Sequence, residues 1–413
     1  MTRTPAAQAV ITGIGWVGPF GAGDSRLLAE VLQANVSAIQ PRAGYATTGL
    51  ASCLAAEIPS ACLPLTEEAR RWSRSSQMTV LACRHAVAEA ALTETTALTQ
   101  AGLVVGSQYG DLRSTEAFCL GFLRKGPLGL SPLLFPSTVM NAMAGTTSIA
   151  LGLQGPMLTV NQDSVAGELA VARALLLLRA GRAATVIVCG VDELFPLLYD
   201  TLAQLHVLSP RQQGDEACRP FDQRHNGPVL GEAATALVLE SPAHAQARGA
   251  PILATISGAC WGGSPTRPGH VPSLEVASDR IVTRVLDEAA VPPTAIDMAY
   301  LSGYGDPQHD TVELACVARA FGAARPLVTA VTHLTGQSGG LGALRVAAAA
   351  VTLQQGISPV LDYLQQPIRT DIRFVTQPVS ARPRHILVHG LALGGVQTAI
   401  LLSPASHVDA TAM

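Results

Sequence analysis

An α/β protein built from two similar halves is what this sequence predicts, on three observations. The stretch 155–193, GPMLTVNQDSVAGELAVARALLLLRAGRAATVIVCGVDE, reads as strand, turn, helix, glycine and strand. ATALVLES at 234–241 is echoed by QTAILLSP at 397–404, each after a glycine-rich turn, as either a duplicated unit or a chance likeness between two buried strands would produce. The chain has 413 residues, enough for two ordinary domains or one large fold of two halves, and 48% of them are hydrophobic, so core material is ample.

The elements follow in order. Ala9 to Ile14 is a first strand, leading into the turn-rich GWVGPFGAG. This apolar segment is short and glycine-broken, which favours a strand over a signal peptide. The turn lacks a phosphate-loop lysine, so it does not indicate nucleotide binding. Residues 66–92 read as helix and Leu103 to Val105 as a strand. Residues 112–124 read as a helix that Lys125-Gly126-Pro127 breaks. On that helix Leu112, Thr115 and Cys119 share one face, and Ser114 and Phe118 another, and one of these faces would serve equally as plain core. A loop rich in Leu, Ser and Pro runs to Pro136, and Ser137 to Ala150 is rich in small residues. Met157 to Val160 is an apolar strand. From Val165 to Ala180 Leu169, Ala172, Leu176 and Arg179 recur at helical steps, and Gly181 stops the run. Thr185 to Val188 is the next strand. The short linker at 242–250 separates a first half, 1–250, from a second, 251–413, which opens on the strand ILATISGACW.

Composition narrows the function classes. Net charge is −3, which gives no basis for a nucleic-acid or polybasic membrane partner. No apolar run approaches the ~18 residues of a membrane span. Charged residues are only 14%, which points to surface buried against another subunit. The eight cysteines are scattered without a C-x-x-C pair, so reduced thiols in a cytoplasmic protein are expected, with no metal site and no cofactor. Ser164 stands where the strand at 157–160 turns into the helix. A side chain there meets unpaired N–H groups and the positive end of the helix dipole, which activates a nucleophile and stabilises its oxyanion. Asp163 or Ser164 would equally serve as a plain helix cap.

Several motifs together carry a resemblance. They are the nucleophile segment from Gly155-Pro156 through Ser164 to Gly190-Val191-Asp192-Glu193, and MNAMAGTTS at 140–148. The most specific is Arg219-Pro220-Phe221-Asp222 followed by Gly227-Pro228-Val229-Leu230-Gly231-Glu232. These resemble the β-ketoacyl synthases of the thiolase-like superfamily over nearly the whole chain, and Ser137 to Ala150 resembles a helix of that family. The resemblance implies a thiolase-like α/β fold, with two similar halves layered α-β-α-β-α.

It also implies an active site that is altered throughout. Synthases of this family use a cysteine, two histidines and a lysine. The cysteine falls here on Ser164, a poor nucleophile without an adjacent base. The first histidine falls on Tyr304 in Ser302-Gly303-Tyr304-Gly305-Asp306; His309, near the end of that motif, is expected on the surface. The lysine and second histidine fall on Thr332 and Gln337, and His333 is one residue off. This pattern is similar to the chain length factors of type II polyketide synthases, silent homologues that pair with an active ketosynthase and an acyl carrier protein. Ser164, where aromatic-pathway members often carry glutamine, leaves room for complexes making reduced or polyene chains. The resemblance places Leu112, Ser114, Thr115, Phe118 and Cys119 at the tunnel and dimer interface, with Met157, Thr159 and Asn161 on the strand that pairs across it. The small Ser114 and Cys119 would leave room for a long chain. Two alternatives stand beside this expectation. One is a Ser164-dependent acyltransferase or thioesterase assisted by Asp163, His309 or His333; the other is a homodimeric scaffold.

Overall fold

The structure is a computed structural model that describes residues 9–42, 50–63, 66–92, 95–210, 214–379 and 381–405. Twelve strands form one continuous sheet. They are β1 (Ala9–Gly18), β2 (Gly21–Gly23), β3 (Gly102–Gly106), β4 (Met157–Val160), β5 (Thr185–Asp192) and β6 (Ala233–Glu240), then β7 (Ala254–Gly263), β8 (Met298–Tyr300), β9 (Leu327–Thr329), β10 (Arg373–Phe374), β11 (Ile386–Leu391) and β12 (Val396–Ser403). The order in the first half is β4-β3-β5-β6-β1, with β2 folded back on β1. In the second half it is β9-β8-β11-β12-β7, with β10 outside β9. Counted from the start of each half, both read third, second, fourth, fifth, first. In both, the pairs third–second and second–fourth are parallel, and fourth–fifth and fifth–first antiparallel. The echoed segments 234–241 and 397–404 are therefore equivalent fifth strands. The halves join where Ala9–Ile11 pairs with Ala254–Ile256.

The helices that matter are α1 (Ser25–Ala34), α2 (Arg74–Glu89), α3 (Leu112–Lys125), α4 (Ala142–Leu151), α5 (Ala166–Arg179), α6 (Arg280–Ala289), α7 (Pro307–Phe321) and α8 (Leu341–Gln355). Side chains alternate along the strands, so each strand feeds two cores. Val186 and Val188 pack centrally with α5 and α8, while Ile187 and Cys189 pack outward with α2 and α4. In the second half Ile386 and Val388 face the central helices, and Leu387 faces α6 and α7. The result is five layers, α-β-α-β-α. The central helices approach closely because Gly167 has no side chain. A Cβ there would lie 2.5 Å from the Ala343 nitrogen. Beside it, Glu168 and Arg345, both fully buried, form an ion pair across the two halves.

Several boundaries differ from the sequence reading. The helix expected over 66–92 starts only at Arg74, because the Ser73 hydroxyl accepts the Ser76 N–H and caps it. A separate 3₁₀ turn, Ala69–Arg71, precedes it. The helix expected from Ser137 begins at Ala142, after a 3₁₀ turn at Phe135–Thr138. The first strand runs on to Gly18, since its end pairs with β2. The 242–250 linker holds a short helix, Pro242–Ala247, capped by Ser241. No helix among the described residues is long and apolar enough to cross a membrane.

Candidate active site

Ser164 occupies the middle of a 3₁₀ turn, Asp163–Val165, between β4 and α5, and is buried. Its position follows from local sequence: β4 ends at polar residues, and an alanine- and leucine-rich helix begins immediately after. Its partners come from far away. Ser164 Oγ donates to the Leu391 carbonyl at 3.4 Å, and His309 Nε2 donates to the same oxygen at 2.6 Å. Leu391 ends β11, just before the glycine-containing turn into β12.

His309 corrects the sequence reading. It is fully buried in the first turn of α7, not on the surface. Pro307 and the cap from Asp306 start that helix, and the cap accepts the His309 N–H at 3.1 Å. The imidazole stacks on Tyr304, with centroids 4.6 Å apart. A carbonyl oxygen only accepts, so His309 carries its proton on Nε2, and Nδ1 has no hydrogen-bond partner. Both the serine and the histidine thus aim a hydrogen at one carbonyl, and neither is placed to take the other's proton.

Asp163 does more than an ordinary cap. Its backbone is left-handed, with φ 42°, and Oδ1 accepts from Ser164 N and from Gln108 Nε2, each at 2.7 Å. Burial raises its carboxyl above the usual range, offset by the Ser164 and Leu393 amides, Gln108 and the nearby His309. Gln108 follows β3 and was not anticipated from sequence; nor was the Leu391–Leu393 backbone.

The remaining expected positions sit on loops that the shared motifs hold. Asp310 accepts from Phe221 N, His225 Nδ1 and Gly305 N, so the Arg219–Asp222 motif clamps the Ser302–Asp306 loop. Thr332 Oγ1 donates to Gly303 O at 2.6 Å, tying it to the same loop. Gln337 is fixed by its backbone to Val229 and Gly231 at 2.8 and 2.9 Å, while its buried side-chain amide has no hydrogen-bond partner. Gly339, two residues on, lies against Gln108; a Cβ there would stand 2.3 Å from the Gln108 Cβ. His333 faces Tyr363, with centroids 5.2 Å apart, and burial pushes its pKa down to about 4, so it is neutral at pH 7. The structure therefore joins Ser164, His309 and Tyr304 in one cluster, and places His333 against another wall. Among the described residues no group of three or more His, Cys, Asp or Glu side chains converges as a metal site.

The helix expected to carry interface residues has a different character from the rest of the protein. No residue of α3 is buried, so neither of its two faces is core. Ser114 Oγ donates to the Asp111 cap and Thr115 Oγ1 to the Asp111 carbonyl, while Phe118 meets Phe135 at 5.9 Å and Cys119 is exposed. β4, with Met157 and Thr159, lies at one edge of the sheet and, among the described residues, pairs only with β3. Asn161 follows it and donates to the Ser107 and Gln108 carbonyls.

Comparisons with known proteins agree with this architecture. The "Beta-ketoacyl synthase, N-terminal domain" family matches residues 7–245, and the "Beta-ketoacyl synthase, C-terminal domain" family matches residues 253–362. A provisionally assigned polyketide β-ketoacyl synthase 1 of Streptomyces halstedii is 30% identical over 96% of this chain and 98% of its own length. The 3-oxoacyl-(acyl-carrier-protein) synthase 2 of Staphylococcus aureus (strain COL) is 31% identical over 82% of this chain and 84% of its own. Among solved structures, the ishigamide ketosynthase/chain length factor superposes with a TM-score of 0.87 at 25% identity, covering 97% of this chain and 100% of that one. A β-ketoacyl synthase from Burkholderia phymatum gives a TM-score of 0.85 at 22% identity over 97% of this chain and 100% of that one, a likeness of fold. A duplicated thiolase-like sheet, the clamped motifs and full-length matches to ketoacyl synthases place this chain in the β-ketoacyl synthase family.

Proposed function

We propose that this chain is a catalytically silent subunit of chain-length-factor type, divided near residue 250 into its two halves. It pairs with an active ketosynthase to shape the tunnel in which a chain bound to acyl carrier protein grows. The observation that carries this reading is the shared Leu391 carbonyl. Ser164 and His309 both donate to it, so among the described residues no base accepts the serine's proton. Tyr304, Thr332 and Gln337 likewise supply no proton acceptor of histidine's kind at the remaining positions. The likeness to a ketosynthase/chain length factor structure supports the pairing. So does the exposed apolar ground around β4 and α4, where Ile149 is 84% and Leu158 41% exposed.

A second reading, Ser164-dependent acyl transfer, has one observation in its favour: the buried His309 beside Ser164. It requires the imidazole to leave the Leu391 carbonyl. One experiment separates the two. The isolated chain is incubated with malonyl- and acyl-loaded carrier protein, then co-expressed with a cysteine-containing ketosynthase. The silent-subunit reading expects no adduct on the isolated chain, a 1:1 complex, and elongation only by the pair. Acylation at Ser164, decarboxylation abolished by Ser164→Ala, or a homodimer indifferent to every ketosynthase would overturn it.

A further inference from the structure

Asp163 turns its carboxylate back onto the turn that carries Ser164. Its Oδ1 accepts the Ser164 N–H at 2.7 Å, and the Leu393 N–H is directed at the same carboxylate. These two main-chain donors come from opposite halves of the protein, one at the entry to α5 and one from the turn between β11 and β12. The Ser164 N–H bonded to Oδ1 and the Leu393 amide facing the same carboxyl, beside a hydroxyl at a strand-to-helix turn, form the arrangement that stabilises the oxyanion of acyl transfer. The fully buried His309 lies near the same carboxylate. Gln108 Nε2 holds the carboxylate in place from the third side. The site is therefore occupied by the protein's own anion.

We propose that the Asp163 carboxylate is a built-in occupant of an oxyanion-binding pair formed by the Ser164 and Leu393 amides, and that it closes this site to acyl transfer whichever nucleophile stands at position 164. The idea rests on the silent-subunit reading and deepens it. Replacing Ser164 alone would not restore reactivity, because the tetrahedral oxygen would have no donors left. Asp163→Gly is the variant that opens the pair with least disturbance, since glycine accepts the left-handed backbone at φ 42° without strain.

The test uses the full chain carrying Ser164→Cys, with and without a change at Asp163. Two reagents are compared by intact-protein mass spectrometry. Iodoacetamide alkylates a thiolate with loss of iodide and needs no oxyanion donors. Hexanoyl-N-acetylcysteamine acylates it: the thiolate adds to the thioester carbonyl, and the tetrahedral oxyanion collapses with release of the N-acetylcysteamine thiolate, which takes a proton from water. The ratio of the two rates isolates the oxyanion step from thiol acidity and access. Asp163→Gly is expected to raise the acylation-to-alkylation ratio about 100-fold over Ser164→Cys alone, the order associated with one oxyanion donor. Asp163→Asn, whose amide oxygen still accepts the Ser164 N–H, should leave the ratio within a few-fold. An unchanged ratio in folded Asp163→Gly, an equal rise in Asp163→Asn, or a thiol that neither reagent reaches would overturn the proposal. The silent-subunit reading is tested on the native Ser164 chain, so either can fail without the other.

Discussion

Replacing Ile149 tests whether the edge of the sheet is an interface. Ile149 lies on α4 and is 84% exposed; Leu128 and Leu133 on the adjoining loop are 95% and 89% exposed. Covering a fully exposed isoleucine stabilises by about 1.5–3 kcal/mol, so covering Ile149 is worth about 2 kcal/mol. Ile149→Ala should therefore weaken a complex with a ketosynthase about 30-fold, since 1.4 kcal/mol is a factor of ten. Ile149→Asp should weaken it further, because a carboxylate loses its water without gaining a partner. The chain itself should be unaffected in melting temperature, as the side chain makes little contact in the free protein. Leu274, 47% exposed on the second half, is the control: its backbone carbonyl contacts Arg319 of α7, remote from β4. Affinity is read by titration calorimetry against a cysteine-containing ketosynthase that co-expression identifies as binding this chain. Unchanged affinity for Ile149→Asp, or an equal loss for Leu274→Asp, would refute the argument that this apolar ground is the contact surface.

Three further outcomes are expected. Arg345→Met leaves Glu168 buried without its cation and should cost about 3–5 kcal/mol in urea unfolding; adding Glu168→Leu should recover much of that loss. Ser114→Phe or Cys119→Phe, on the unburied α3, should shorten the product of the reconstituted pair by mass spectrometry while leaving the complex intact; an unchanged length distribution in both places the gate elsewhere. Burial pushes the Asp192 carboxyl up to about 6, so between about pH 4 and 6 the folded chain holds a proton that the unfolded chain has released. Its contribution is complete below pH 4 and lost as pH rises through 6, about 3 kcal/mol for two pK units. Melts of Asp192→Asn should therefore be flatter across this window than those of the native chain.

The turn at Ser164 was legible because its causes are local. An apolar run, four polar residues and an alanine-rich run suffice to place a strand, a turn and a helix. The Arg219–Asp222 and Gly231-Glu232 motifs were equally visible, since their residue types are unusual together. What they hold was not visible: Asp310 receives Phe221 N, and Glu232 receives Arg74 and the Ile58 amide. His309 was misplaced because a lone histidine in a polar stretch looks solvent-facing. Its burial depends on Tyr304 stacking on one side and Leu391 lying across on the other.

By itself, the sequence determined the alternation of strands and helices, the duplication echoed in β6 and β12, and the absence of a cysteine where the family's nucleophile stands. These follow from neighbours a few residues apart, whose periodicity and backbone preferences act before any tertiary contact forms. Only the tertiary structure decided what surrounds Ser164. The Leu391 carbonyl arrives from 227 residues away, and the Leu393 amide reaches Asp163 from the same turn. Backbone donors and acceptors carry no residue-type signature, so the groups that decide this site's chemistry appear only when the two halves close on each other.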